Sequence, residues 1–309
     1  MKTVYLNNFM SSVVTELERN GQYSTAHVCG SVLRSVMTFD GDGLLLSGIT
    51  PLWLKAYEHY LLHKGEKGLE WNTISTYMRM LRAVYNRAVV RKLVPFVPHL
   101  FREVFTGRKA DHRRVLERDD MRQLLAEKDL DIISPGMEWA RACLELMFRF
   151  HGMPFVDLAH LRKSDLKDGY LTLRRRKTGM PLSARVDSRA MQLLERYRNR
   201  DDTSPYLLCF LDVSLEGMAA YRDYLRILRL LNSKLRALAL WRKVQGKVTS
   251  YTARHTWATA GKYCHIPIEI ISEGLGHASV TTTEGYMKGF GNSQMDRANK
   301  VIMNYIFER

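Results

Sequence analysis

The stretch from Thr249 to Met287 gathers residues able to do chemistry. It reads TSYTARHTWATAGKYCHIPIEIISEGLGHASVTTTEGYM. Arg254 and His255 stand at the front of an expected helix. Leu275-Gly276-His277 follows a shorter one, and Tyr286 lies nine residues beyond His277, just after Thr281, Thr282 and Thr283. A guanidinium offers forked donors to anionic oxygens, and an imidazole moves protons. A phenol becomes a nucleophile once a positive field or a base draws off its proton. Taken singly, each residue has an ordinary reading: a surface charge, a capping or core histidine, a half-buried tyrosine. The combination at this spacing is much rarer by chance.

Elements must hold these groups together. Tyr170–Arg176 and Met180–Val186 are short alternating stretches joined by Lys177-Thr178-Gly179, which predicts a β-hairpin with glycine at the turn. Around it the pattern is helical: 116–128, Pro135 to Phe150, a short Phe155-Val156-Asp157-Leu158 segment, then 188–200, 221–243, 252–263, 266–274 and 294–307. The first hundred residues read as short helices. One opens at Pro51 with Thr50 as N-cap. Another follows Asn72 and Thr73, with Ile74, Tyr77, Met78, Leu81, Val84 and Tyr85 on one apolar face, and Pro95 and Pro98 stop it. Residues 106–115 (TGRKADHRRV) read as a basic linker carrying Arg108, Lys109, Arg113 and Arg114. The expected division is 1–105, the linker 106–115, and 116–309. The fold class is mainly α, with a small antiparallel β-sheet in the C-terminal domain.

Composition sets the bounds. With 309 residues the chain is long enough for two cores, and 46% hydrophobic residues exclude wholesale disorder. Cys29, Cys143, Cys209 and Cys264 form no CxxC pair, so neither a disulfide scaffold nor a structural zinc site is expected. The adjacent Cys264 and His265 read as packing rather than metal ligation. No apolar run reaches the roughly 18–20 residues of a bilayer span, and the first twenty residues lack a signal-peptide block. A net charge of +15 points to a polyanion, with nucleic acid first and an acidic membrane surface second.

Lys177, Arg254, His277 and Tyr286, set in these elements, resemble the tyrosine recombinase (phage integrase) family, of the mobile-element integrase or invertase type. The Leu-Gly-His run with nine residues to the tyrosine is the most specific piece. The resemblance covers the whole chain and implies a helical, SAM-like core-binding domain, a linker and a mixed α+β catalytic domain. It implies that Tyr286 attacks a DNA phosphodiester, that Arg254 and His277 bind the phosphate oxygens, and that Lys177 protonates the leaving 5′-oxygen. The 3′-phosphotyrosyl linkage conserves the bond energy, so neither cofactor nor metal is expected. It further implies double-stranded DNA as partner, a homotetramer on synapsed DNA, an accessory DNA-bending protein in some systems, and a cytoplasmic, nucleoid-associated location.

The chain departs from the family pattern twice. Tyr251 stands where a histidine is usual, and Pro154 stands where the family's first arginine opens a helix. Asp157, three residues on, matches the acidic residue that supports the site. His151 by position and Arg149 by chemistry are the candidate substitutes for the missing cation. On a helix they lie about 200° apart, so both cannot point into one site. These departures keep open a catalytically weakened or inactive DNA-binding protein of the same fold. A type IB topoisomerase shares the tyrosine chemistry, but the motifs argue against it. Arg174, Arg175 and Arg176 beside Lys177 read as phosphate contacts, while Arg79 and Arg87 on the polar face of the helix after Asn72 either enter or flank a DNA groove or form an ordinary solvated face. At the tail, Val301, Ile302, Tyr305 and Ile306 form an apolar face that docks either on its own core or on a neighbouring protomer.

Overall fold

The computed structural model describes residues 3–109, 115–128, 132–277, 279–285, 287, 289 and 292–307. The chain divides into two compact units. The first comprises Met1–Ala110 with Leu215–Tyr221, the second Asp111–Ser214 with Arg222–Arg309.

The first unit is built from α1 (Leu6–Arg19), α2 (Tyr23–Asp40), α3 (Pro51–His63) and α4 (Trp71–Val90). These helices run 13 to 20 residues, longer than the short helices the sequence pattern implied, because few strong breakers interrupt them. Thr50 caps α3 by accepting from the Trp53 N–H at 3.2 Å, with Pro51 in the first turn as expected. On α4 the positions Ile74, Met78, Leu81, Val84 and Tyr85 are buried, while Tyr77 packs at the margin of the same core. The helix ends at Val90, ahead of Pro95.

The second unit contains α5 (Arg118–Leu125), α6 (Pro135–Arg149), α7 (Phe155–Ala159), β1 (Leu166–Lys167), β2 (Tyr170–Arg174), β3 (Pro181–Arg185), α8 (Ser188–Arg196), most of α9 (Gly217–Trp241), α10 (Thr252–Tyr263), α11 (Ile268–Gly274), α12 (Val280–Glu284) and α13 (Asn292–Phe307). The expected hairpin is present. The two-residue β1 adds a third antiparallel strand, in the order β1-β2-β3, that the pattern did not announce. Leu171 faces Ala184 and Leu173 faces Leu182 across the hairpin, and this face closes on the core beneath. α9 starts four residues before the expected boundary, and α12 is short enough to have escaped the periodicity.

α6 is nearly continuous core, with eight buried residues from Ala140 to Met147. Two of them are charged. Arg141 is wholly buried and bonds Glu145 at 2.8 Å, and Arg149 and Arg189 bond the same carboxylate. Among the described residues no helix is long and apolar enough to cross a membrane, and no three His, Cys, Asp or Glu side chains are grouped to hold a metal ion.

Candidate active site

α10 carries the central residue. Thr252, Ala253, Arg254, His255, Thr256, Ala258 and Thr259 are all buried, so this helix is enclosed on most sides. Its polar members survive burial because they are bonded. The Thr256 hydroxyl accepts from the Leu116 N–H at 3.1 Å, and the Thr252 hydroxyl accepts from the Thr249 N–H at 3.0 Å. The turn after α6 comes close. At Gly152, with φ of +66°, an added Cβ would stand 2.8 Å from the Arg254 Cα, so only glycine lets this turn pass α10.

Arg254 donates to the Gly152 carbonyl at 3.0 Å and to the Leu275 carbonyl at 2.6 Å, and its Nη2 meets His277 Nε2 at 2.8 Å. Because Nε2 accepts there, the proton of the neutral ring sits on Nδ1, which bonds the Thr283 hydroxyl at 2.8 Å. Burial, then the positive charges of Arg254, Arg175 and Lys177, push the imidazole down to about 4. His277 is therefore a neutral group in a positive field at pH 7.

A second buried guanidinium completes the cluster. Arg175 Nε bonds Asp157 Oδ2 at 2.9 Å, and its Nη1 donates to the Leu275 carbonyl, the same oxygen that Arg254 holds. The other Asp157 oxygen accepts the Arg176 N–H at 3.0 Å. One carboxylate on α7 thus pins the end of β2. The sequence reading of Arg175 as a DNA-backbone contact on the hairpin surface is corrected here: its side chain is 5% exposed and turned inward. The reason is strand parity. Leu171, Leu173 and Arg175 share the inner face, and Tyr170, Thr172 and Arg174 the outer one. That alternation was the signal available in the sequence.

Lys177 is exposed on the hairpin turn, close enough for its charge to act on His277. Tyr286 lies outside the described residues, as do Arg113 and Arg114. The two proposed substitute cations do not join the cluster. Arg149 bonds Glu145 at 2.9 Å and Asp187 at 2.6 Å. His151 rests against the Trp257 ring, 5.6 Å between centroids, and burial lowers its basicity, so it is uncharged at neutral pH. Pro154 is the residue preceding α7 and offers only its carbonyl, which accepts from Asp157 and Leu158. Tyr251 is 43% exposed ahead of α10, with its ring 6.2 Å from that of His255.

Several expected DNA contacts are engaged within their own unit. Arg87 pairs with Glu16 at 3.2 Å, and Arg79 bonds Ser75 and Thr76 of its own helix. The Lys109 backbone exchanges two hydrogen bonds with the Asn72 side-chain amide, and its ammonium stands over the Trp71 ring at 4.4 Å. The first part of the supposed linker is therefore folded onto α4. Arg108, Arg174 and Arg176 are exposed. A cavity of about 930 Å³ lies among α5, α6 and α10, lined by Met121, Leu125, Phe148 and Trp257. Arg175, Arg254 and His277 are not among its walls.

The two units match known families in order. Residues 5–101 match the phage integrase SAM-like domain, and residues 114–291 match the phage integrase family. The chain belongs to the phage integrase family. A 140-residue stretch is 31% identical to tyrosine recombinase XerA of Pyrococcus furiosus, covering 44% of this chain and 46% of that protein. The chain thus spans about half the length of this curated relative. The fold is similar to that of a lambda integrase tetramer bound to a Holliday junction, with TM-score 0.63, 17% identity, and 93% of this chain and 78% of that one covered. It is equally similar to the Tn1549 transposon integrase in complex with transposon right end DNA, with TM-score 0.63, 16% identity, and 96% and 98% covered.

Proposed function

We propose that the protein is a site-specific DNA recombinase that cleaves and rejoins strands through a 3′-phosphotyrosyl intermediate on Tyr286. The observation that carries this is the buried guanidinium of Arg254 bonded to a neutral His277, in a chain of the phage integrase family. The Tyr286 oxygen attacks the scissile phosphorus and loses its proton. The bond to the 5′-oxygen breaks, and Lys177 on the exposed hairpin turn protonates that leaving group. Attack by a 5′-hydroxyl reverses the steps and releases the tyrosine. Charge spread over the non-bridging oxygens is met by Arg254, whose guanidinium is held in place by His277 Nε2.

In this reading residues 1–105 bind DNA around the core site, 106–115 connect, and 116–309 catalyse. Arg108, Arg174 and Arg176 remain candidates for backbone contacts. Four protomers synapse two DNA sites; the lambda integrase of similar fold is a tetramer bound to a Holliday junction. The described apolar residues of α13 support this, because Val301 and Ile302 are 66% and 59% exposed and a second copy would cover them. The outcome is integration and excision of a mobile element or inversion of a segment, in the cytoplasm on the nucleoid, with an accessory DNA-bending protein in some configurations. The inactive-protein alternative is not favoured, since Lys177, Arg254 and His277 are all retained.

The test uses nicked suicide substrates made from DNA flanking the gene. Wild type is expected to give a covalent protein–DNA band on a denaturing gel, and Tyr286→Phe to bind the same DNA without forming it. An adduct that persists in Tyr286→Phe would remove Tyr286 as the nucleophile.

A further inference from the structure

We propose that Arg175 is the second phosphate-binding arginine of this active site, supplying from the hairpin the guanidinium that the place held by Pro154 does not. The inference rests on the recombinase reading above and names a contact to the scissile phosphate that the sequence pattern left vacant.

Four observations carry it. Arg175 and Arg254 converge on one acceptor, the Leu275 carbonyl, so their forks open onto the same volume. Arg175 is anchored to α7 through its Nε, which donates to Asp157 Oδ2 at 2.9 Å. Nη1 faces the Leu275 and Gly276 carbonyls, and among the described residues Nη2 has no hydrogen-bond partner. The backbone is shaped for this side chain. At Gly276, with φ of +61°, an added Cβ would stand 2.6 Å from the Arg175 Cδ.

The electrostatics agree. A carboxylate answers Arg175, and Arg254 bonds the Gly152 and Leu275 carbonyls and His277. His277 accordingly feels positive charge from Arg254, Arg175 and Lys177 together. An anion placed among these groups would meet positive charge from three directions. A phosphodiester carries one negative charge, and its pentacovalent transition state carries more. Two fixed forks around that centre supply donors to both non-bridging oxygens without reorganisation. A lysine could not do the same, because it lacks the planar fork.

The experiment reads the site in two ways on the full-length protein. In the first, inorganic phosphate is titrated while the ring nitrogens of His277 are followed by NMR. Wild type is expected to respond, Arg175→Gln to bind at least tenfold more weakly, and Arg175→Lys to fall between. Equal affinity in wild type and Arg175→Gln, or no response in wild type, overturns the proposal. In the second, the suicide substrate carries either a normal or a methylphosphonate scissile linkage, which lacks one negative charge. The adduct yield of Arg175→Gln is expected to fall at least a hundredfold on the phosphate and at least tenfold less on the methylphosphonate. An equal fall on both leaves Arg175 only a structural anchor and overturns the contact. A Tyr286→Phe control that still forms adduct would sink the recombinase reading, while the phosphate titration decides Arg175 independently. Retained His277 shifts in Arg175→Lys separate loss of the fork from loss of the fold.

Discussion

Arg254, His277 and Arg175 meet at the Leu275 carbonyl, although more than twenty residues separate Arg254 from Leu275 and a hundred separate Arg175 from it. Two predictions belong at this scale. Gly276→Ala must place a methyl against Arg175 and hold a left-handed φ, a strain of roughly 1–2 kcal/mol for an L-residue. Covalent attachment should drop at least tenfold on the suicide substrate while mobility-shift binding stays within about threefold. The second concerns pH. His277 and His160 both titrate near 4 in the folded chain against 6.5 in a free histidine, His160 through burial first and then the charge of Arg176. A depressed folded value means stability that is present above 6.5 and is lost as pH falls toward 4. Melting temperature should therefore decline across that window, and His160→Gln should flatten part of the decline. The identities of Arg254 and His277 were legible from motif spacing. Arg175 was not, because three consecutive arginines look alike until the parity of β2 sorts them.

At the scale of elements, helical periodicity located α4, α6, α9, α10 and α13, and the hairpin followed from its turn residues. Two-residue β1 and five-residue α12 carry too little pattern to declare themselves, and tertiary contacts define them. α6 hides a further feature. Its apolar run conceals Arg141 and Glu145, whose pairing no periodicity reveals. Burial raises the Glu145 carboxyl, but hydrogen bonds from Arg189, Arg149 and Arg141 outweigh it and leave it below the usual range. Glu145→Gln would strand the buried Arg141 and should destabilise the fold by about 3–5 kcal/mol in chemical denaturation. A loss under about 1 kcal/mol would mean the cluster is solvated in solution.

For the whole molecule, the charge of +15 is the property most directly read from the chain, and its distribution is what the structure adds. Arg87 and Lys109 are engaged within the first unit, while Arg108, Arg174 and Arg176 are presented to solvent. If six to ten phosphates are contacted, DNA affinity should fall roughly 10³–10⁵-fold between 50 and 200 mM salt. Arg174→Gln combined with Arg176→Gln should lower the slope of log affinity against log salt by about two, measured by fluorescence anisotropy. An unchanged slope would take these two arginines off the DNA.

In the recombinase reading, the long sequence separations around the Leu275 carbonyl also govern when the protein becomes dangerous to DNA. Gly152 must wait for Arg254, and Arg175 must wait for Leu275, so the cradle closes only after residue 275 has been synthesised. A nascent chain still short of residue 275 already possesses the sheet, α6 and the exposed Arg174 and Arg176, yet has no finished place for a phosphate. In the recombinase reading, cutting is thereby deferred until residue 275 has been made, and a product terminated before it is expected to bind DNA without breaking it.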